Sequence, residues 1–310
     1  MTTSVVPFEV SDVYVRTPGK INIALCVGAR RPDGYHELAT IFQAVSLYDI
    51  VSARSSATEI SCEVLGSDAH RIGPGTQNLA YRAAQLLKTE YQVTEGVHLT
   101  IEKRIPVAGG MAGGSADAAG ALLACAHLWE LPVSTEDLMR LGARLGADVP
   151  FPLMGGCAVG LGRGDMLTAT LARGVYHWVL AVAPIELSTT EAFARFDHLR
   201  ETTSSPPPLT PIIPRPLMLA LACGDIGRVG SLLVNDLAPA ALSMAPQLRG
   251  TLAAGRGSGS VGAVISGSGP TIAFLSPSES AARELADALA SDAVKEVLLV
   301  TGPVSGAAIL

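Results

Sequence analysis

The stretch "IPVAGGMAGGSADAAGALL", residues 105–123, places four glycines, at 109, 110, 113 and 114, and small neighbours between a strand pattern and a helix pattern. Glycine has no side chain to bury and loses much backbone entropy on folding, so core packing does not explain this composition. The first N–H groups of a helix lack internal partners and carry partial positive charge, and small residues let an oxyanion approach them. The stretch therefore predicts a phosphate-binding loop, and a tight turn or close helix packing is the alternative. It is not a Walker A loop, because no Gly-Lys-Ser/Thr follows.

The sequence around this loop predicts a mixed α and β chain. "VHLTIEKR" (97–104) alternates apolar and polar residues like a strand, and the following helix is expected from about Ser115 to Leu128 or Trp129. "TPGK" (17–20) and the proline-rich 204–216 are expected to be loops. The remaining patterns predict helices at 76–91, 134–146 and 278–291, and strands at 13–15, 21–27, 45–54, 59–66, on both sides of 266–270, and at 295–301.

Composition narrows the class of protein. The chain has 310 residues, 48% of them hydrophobic and 16% charged, which is typical of a folded protein large enough for two domains. A net charge of −6 with no basic tract argues against nucleic-acid binding. No apolar run reaches the ~20 residues that a membrane span needs, and the N-terminus does not resemble a signal peptide. Five dispersed cysteines are typical of reduced thiols, so a bacterial cytoplasmic location is expected.

Four further short motifs carry polar residues that each have an ordinary explanation when taken alone. "PGKIN" (18–22) has a lysine at a strand edge, and "DGYHEL" (33–38) has a histidine in a loop. "GADVPF" (146–151) has an aspartate at a turn, and "SGSGP" (266–270) is typical of a hairpin turn. "GSGSVG" (257–262) matches a dinucleotide fingerprint only by letters, because a strand follows it where that fingerprint requires a helix.

Four of these motifs occur together, and their combination resembles the GHMP kinase superfamily. In their order along the chain they are "PGKIN", the loop at 105–123, "GADVPF" and "SGSGP". The resemblance implies an α+β fold of two domains. The N-terminal domain would resemble a ribosomal protein and contain a left-handed βαβ crossover, and the C-terminal domain would be ferredoxin-like. Residues 1–172 and 173–310 are the expected domains, with the substrate cleft between them.

The motif "RRPDGYHEL" (30–38 region) narrows the resemblance to the superfamily member that acts in the non-mevalonate route to isoprenoid precursors. Its reaction would be ATP-dependent phosphorylation of the 2-hydroxyl of a cytidine diphosphate conjugate of methylerythritol, with Mg²⁺ as cofactor. A homoserine or mevalonate type kinase is the alternative inside the superfamily, and a nucleotide-binding protein without catalysis is the alternative outside it. A small-molecule substrate, no nucleic-acid or membrane partner, and a monomer or weak homodimer are expected.

The resemblance also implies roles for individual residues. Asp148 would be the catalytic base beside Lys20, and Ser115 would contact Mg²⁺. The cytidyl substrate would contact Asn22, Tyr35, His36, Asp148 and Phe193. ATP would contact Asn78, Lys103, Pro106, Gly109, Gly110, Gly113, Gly114 and Ser115.

Two departures from the family pattern concern the loop and the metal. Ala108 and Ala112 stand where the family often has glycine, and alanine fits at these two positions if φ is negative there. No second carboxylate is evident as a metal ligand beside Ser115.

Overall fold

The computed structural model describes residues 12–66, 68–73, 75–202 and 208–310, so the N-terminal stretch and residues 204–207 of the predicted proline-rich loop lie outside it. The first half of the chain contains β1 (Val13–Arg30), β2 (His36–Ser56), β3 (Ile60–Leu65), α1 (Leu79–Glu90), β4 (Gly96–Glu102), α2 (Gly113–Leu128), α3 (Thr135–Leu145), α4 (Pro150–Met154), β5 (Cys157–Gly162) and β6 (Met166–Ala169). The second half contains β7 (Tyr176–Val182), α5 (Thr189–Thr202), α6 (Arg215–Cys223), α7 (Ile226–Leu232), β8 (Val234–Asn235), α8 (Ala238–Met244), α9 (Leu248–Gly257), β9 (Gly262–Ile265), β10 (Ile272–Ser276), α10 (Glu279–Leu289), β11 (Glu296–Gly302) and β12 (Ala308–Ile309).

A long antiparallel pair, β1 with β2, forms the centre of the first sheet. Its register shifts at Pro18/Gly19, Asn22/Ala24 and Val27/Arg30. The prediction that "TPGK" is a loop is wrong, because β1 continues through it. Pro18 cannot donate to a ladder, and a bulge is one of the places where a strand tolerates proline.

The first sheet, among the described residues, has eight strands. Its main order is β12-β1-β2-β4-β3, with β5 beside β2, β6 beside β5, and β8 parallel to β1. Strands β3 and β4 are parallel, and α1 connects them. This βαβ unit is the expected crossover, whose left-handedness stays a prediction.

Helix α2 lies inside the first domain rather than on its surface. Ten of its sixteen residues are buried, and most are alanine. A helix that is apolar on nearly every side is typical of a core position. The core beside it is formed by residues of β2, β4, α1 and α3, including Val51, Leu99 and Leu138. Packing therefore fixes the direction in which the N-terminus of α2 points.

The second sheet has the strand order β11-β7-β10-β9, with every pair antiparallel. Counted along the chain this is 4-1-3-2, the order of a ferredoxin-like sheet, as predicted. The chain changes from the first sheet to the second between Ala169 and Tyr176, although β8 and β12 return to β1. The boundary at 172/173 stays a prediction.

Two chain-wide features complete the fold. Across the described residues, no helix combines the length and apolarity that crossing a membrane would require. All five cysteines are free thiols, and Cys26, Cys125 and Cys157 are buried. The pKa of the Cys125 thiol is raised above its ordinary value, because burial disfavours the thiolate.

Candidate active site

The predicted phosphate loop joins β4 to α2 and takes a left-handed backbone conformation at three positions. The φ angles are 56° at Ala108, 72° at Gly110 and 57° at Ala112. A negative φ, the condition under which alanine fits without strain, is therefore not met at Ala108 and Ala112. Left-handed backbone places Cβ close to the following carbonyl oxygen and costs roughly 1–2 kcal/mol per alanine. Helix α2 begins at Gly113, two residues earlier than predicted.

The glycines of the loop fall into two groups according to what a side chain would meet. A Cβ on Gly110 would lie 2.2 Å from the Ser266 carbonyl oxygen, and one on Gly113 would lie 3.0 Å from Lys103 Nζ. A Cβ on Gly114 would have Leu79 Cδ1, at 3.8 Å, as its nearest neighbour. The first two glycines are needed for packing, whereas Gly114 leaves open space at the N-terminus of α2.

The second glycine-rich loop, residues 266–270, packs directly on the first. Ser266 Oγ donates a hydrogen bond to the Gly110 carbonyl oxygen at 3.0 Å. Asn235 Nδ2 donates to the carbonyl oxygens of Ile265 and Gly267, each at 2.7 Å. The loop is the connection of the β9–β10 hairpin, as predicted, and it supports the phosphate loop from the second domain.

Behind the phosphate loop lies a buried cluster of three charged side chains, which we call the Lys103 cluster: Lys103, Asp49 and Asp117. Lys103 Nζ donates to Asp117 Oδ2 at 2.9 Å and to Asp49, and each side chain is at most 3% exposed. Asp49 Oδ1 also accepts from the backbone N–H of Arg104 at 2.6 Å and of Ile105 at 2.9 Å. The cluster thus ties β2, the start of the loop and the first turns of α2 together.

Protonation in the Lys103 cluster follows from its burial and its charge balance. Burial raises the pKa of Asp117 to about 8, and the Lys103 ammonium opposes that shift. Burial alone would lower the pKa of Lys103, but the Asp117 and Asp49 carboxylates together raise it above its ordinary value. Two carboxyl groups share one ammonium, so a retained proton on Asp117 brings the cluster to neutrality.

The predicted catalytic pair, Lys20 and Asp148, meets close to the phosphate loop, since the Lys20 backbone N–H donates to the Met111 carbonyl oxygen at 3.3 Å. Lys20 Nζ lies 3.5 Å from Asp148 Oδ2 and donates to Asn22 Oδ1 at 2.7 Å. Asn22 Nδ2 donates to Thr40 Oγ1 at 2.8 Å, and Thr40 donates in turn to the Ala24 carbonyl oxygen. Lys20 is almost fully buried, whereas about a third of the Asp148 side chain is exposed. This series of hydrogen bonds holds the Lys20 ammonium in place and leaves the Asp148 carboxylate accessible.

The predicted cytidine-binding residues form an aromatic group at the end of the cleft. The rings of His36 and Phe193 are stacked, with centroids 4.9 Å apart and 21° between their planes. Tyr35 is 55% exposed, and the Arg163 guanidinium lies over its ring, 5.4 Å from the centroid. His36 Nε2 lies 2.8 Å from Asp197 Oδ1. Because His36 covers one face of Phe193, a base can stack only on the other face.

One cleft of about 970 Å³ brings all of these groups together. Every residue predicted for the site lines it: Lys20, Asn22, Tyr35, His36, Asn78, Lys103, Pro106, Gly109, Gly110, Gly113, Gly114, Ser115, Asp148 and Phe193. Asn78 is also the N-cap of α1, since its Oδ1 accepts from the Ala80 N–H at 2.8 Å. Within the described ranges its amide nitrogen makes no hydrogen bond, and the residue lines the cleft.

Sequence reasoning missed Thr40, Asp117 and Asp197, which also line the cleft. Asp117 lies two residues beyond Ser115, and an aspartate among alanines inside an apolar helix was a usable signal for a buried ion pair. Asp197 and Thr40 carry no such signal, because their partners are distant in sequence.

Comparisons with known proteins agree along the whole chain. The models of the GHMP kinases N terminal domain and of the GHMP kinases C terminal domain match residues 78–156 and 217–295. The chain is 50% identical over 302 residues to the 4-diphosphocytidyl-2-C-methyl-D-erythritol kinase of Mycolicibacterium gilvum, covering 96% of this chain and 93% of that one. It is 48% identical over 300 residues to the kinase of the same name from Streptomyces coelicolor, covering 96% and 99%.

Solved structures give the same picture of the fold. A crystal structure of 4-(cytidine 5'-diphospho)-2C-methyl-D-erythritol kinase has a TM-score of 0.75 and 32% identity, covering 93% of this chain and 98% of that chain. A homoserine kinase from Cytophaga hutchinsonii has a TM-score of 0.74 and 17% identity, covering 100% of both chains. The second similarity concerns the fold alone.

Proposed function

Since this chain belongs to the 4-diphosphocytidyl-2-C-methyl-D-erythritol kinases, within the GHMP kinase family, we propose that it phosphorylates that compound on its 2-hydroxyl group. The membership confirms the resemblance drawn from the sequence motifs and the predicted two-domain α+β fold. The chain is a kinase with ATP as co-substrate, and the products are ADP and the 2-phosphate. One observation carries the proposal: the phosphate loop, the Lys20–Asp148 pair and the aromatic group line a single cleft.

The chemical step needs a base and a positive charge beside the attacking oxygen. In the proposed step Asp148 accepts the proton of the substrate's 2-hydroxyl group. The oxygen of that hydroxyl group bonds to the γ-phosphorus, while the bond between the γ-phosphorus and the oxygen that leaves with ADP breaks. Lys20, 3.5 Å from Asp148, stabilises the negative charge that develops on the attacking oxygen. Asn22 keeps the lysine in place through its 2.7 Å hydrogen bond.

The nucleotide would lie with its phosphates at the N-terminus of α2. The free N–H groups of the first helical turn point at this space, and the open side of Gly114 permits close approach. Asn78, Pro106 and Gly109 line the adjoining part of the cleft, where the nucleoside would lie. Lys103 supports the loop from behind, since both of its carboxylate partners are protein groups.

The donor groups near the phosphates fit a magnesium ion that arrives with the nucleotide. Among the described residues, no group of three His, Cys, Asp or Glu side chains could form a protein cage for a metal. Mg²⁺ commonly keeps several waters and binds through substrate phosphates with few protein ligands. We propose the Ser115 hydroxyl as a protein ligand, because it lies in the first turn of α2. Bound there, Mg²⁺ would neutralise charge on the β- and γ-phosphates.

The aromatic group at the far end of the cleft supports a cytidine-containing acceptor. Tyr35 and Phe193 offer ring faces for stacking, and His36 offers a ring nitrogen for hydrogen bonding to the base. A small acceptor such as homoserine or mevalonate would leave these rings without a ligand. A protein without catalysis would not need the Lys20–Asp148 pair. The cytoplasmic location and the monomeric or weakly dimeric state stay predictions.

An assay of ADP release with Mg²⁺-ATP, run in parallel with the cytidyl conjugate, homoserine and mevalonate, tests the proposed acceptor. Turnover with the cytidyl conjugate alone is the expected result, and turnover only with a small acceptor would contradict the proposal.

The D148N variant tests the proposed base in the same assay. Its kcat should fall by about 10²–10⁴-fold with little change in either KM, because a positioned base contributes that much to proton transfer. A kcat close to that of the unmodified enzyme would exclude Asp148 as the base.

A further inference from the structure

The imidazole of His36 is held on several sides by the second domain. His36 begins β2, and Asp197, 161 residues later on α5, lies 2.8 Å from its Nε2. Phe193 stacks on one face of the ring, and Phe196 meets it edge-on with centroids 6.1 Å apart. The His36 side chain is 5% exposed, so these contacts leave it a single orientation.

The second ring nitrogen of His36 is available to the cleft. Among the described residues Nδ1 makes no hydrogen bond, and it is not one of the fully buried polar atoms without a partner. His36 lines the cleft, and because Nε2 faces Asp197 we infer that Nδ1 is the ring nitrogen that a ligand in the cleft would meet. A carboxylate only accepts hydrogen bonds, so Asp197 requires the hydrogen to be on Nε2. In the neutral ring Nδ1 is then an acceptor.

We propose that Asp197 is a positioning residue that sets base specificity by fixing the orientation and the tautomer of His36. The inference rests on the proposed function, because it assumes that the cytosine lies at this end of the cleft. Cytosine presents an amino group as a donor at C4, which Nδ1 can accept. Uracil presents a carbonyl oxygen at the same place, so two acceptors would face each other. The pair therefore selects a 4-amino pyrimidine over a 4-oxo pyrimidine.

The D197N variant tests this selection with little change in shape. An asparagine can accept from Nε2–H through its oxygen or donate through its nitrogen, so both His36 tautomers become possible. Steady-state kinetics with the cytidyl conjugate and the matching uridyl conjugate, at saturating Mg²⁺-ATP, measure the preference. We expect the cytidyl KM to rise and the cytidyl-to-uridyl ratio of kcat/KM to fall at least about tenfold, in line with one base-edge hydrogen bond.

Two controls separate positioning from general damage. The kcat and the KM for ATP should stay within about twofold in D197N, because the hydrogen bond that Asp197 makes among the described residues is with His36 and not with the phosphate loop. E191Q removes one charge from the exposed side of the same helix and should leave every constant unchanged. An unchanged cytidyl-to-uridyl ratio in D197N, or an equal fall with E191Q, would overturn the proposal.

A spectroscopic measurement tests the tautomer without turnover. In protein labelled with ¹⁵N-histidine, the signals of His36 are identified by their loss in H36Q. The expected tautomer of the unmodified protein carries its hydrogen on Nε2, and D197N should show a mixture. A hydrogen on Nδ1 in the unmodified protein would overturn the Asp197 assignment. Failure to phosphorylate the cytidyl conjugate would instead contradict the proposed function, so the two failures are distinguishable.

Discussion

Alanine at Gly110 should lower the stability of the fold, whereas alanine at Gly114 of the same loop should weaken ATP binding without destabilising the fold. At Gly110 the φ angle is 72°, and an added Cβ would lie 2.2 Å from the Ser266 carbonyl oxygen. The left-handed backbone costs alanine roughly 1–2 kcal/mol, and overpacking typically adds about 1–3 kcal/mol. Their sum predicts that G110A lowers the free energy of unfolding by roughly 2–5 kcal/mol.

At Gly114 the added Cβ meets no atom closer than 3.8 Å, so G114A should not destabilise the fold. Alanine is favoured over glycine in a helix by roughly 0.5–1 kcal/mol, which sets the upper limit of any gain in stability. The Cβ would, however, occupy the open space at the N-terminus of α2. We therefore expect a raised KM for ATP in G114A with the KM for the acceptor nearly unchanged.

Urea unfolding followed by tryptophan fluorescence, together with the KM for ATP, measures both effects. Trp178 is fully buried in the second sheet and reports on the domain that supports the loop. G110A should unfold at clearly lower urea, and G114A should unfold at the same urea concentration or a higher one. Stability of G110A equal to that of the unmodified protein would refute the packing argument. An unchanged KM for ATP in G114A would refute its assignment to the phosphates.

Three further predictions concern the loop and the Lys103 cluster. A112G should raise the free energy of unfolding by about 0.5–1 kcal/mol in urea unfolding, because glycine relieves the left-handed strain; a loss of stability would contradict the φ of 57°. K103M should lower the same quantity by about 3–5 kcal/mol, since it leaves Asp49 and Asp117 without their cation, and an effect below 1 kcal/mol would contradict the buried pairing. The folded-state pKa of Asp117, about 8, lies above the ordinary 3.8, so the contribution of this carboxyl group to stability should fall as pH rises between these values. In D117N the free energy of unfolding, measured from pH 4 to 9, should depend less on pH.

Local patterns in the sequence were sufficient for most elements and for the site residues as a set. Ser134 forms a capping box with Asp137 at the start of α3, and Asn78 caps α1, both close to where the sequence predicts a helix to begin. Such signals are short-range, because a cap and its N–H partner lie within one turn. The motifs likewise indicated which residues line one cleft, although their individual roles stay predictions.

The features that sequence reasoning missed depend on contacts between distant segments. Asp197, the partner of His36, is 161 residues away in the chain. It is one of several polar residues on α5, and no local sequence pattern distinguishes it from the others. The sequence does not predict the strand through Pro18, because proline is typical of loops. In the structure the long pairing of β1 with β2 accommodates this proline at a register shift.

The two left-handed alanines show why the loop conformation could not be predicted from its own residues. Each is disfavoured locally by roughly 1–2 kcal/mol, so the isolated segment would not adopt this shape. The loop keeps this shape because residues outside it hold it at two points. Asp49 accepts hydrogen bonds from the N–H groups at the start of the loop, and Ser266 donates one to the Gly110 carbonyl oxygen in the middle of the loop. Local strain maintained by distant contacts is typical of ligand sites, because it preorganises backbone groups. The second domain therefore supports the shape of the proposed phosphate loop through the 266–270 loop, and in our proposal it also positions the base-recognising histidine through α5.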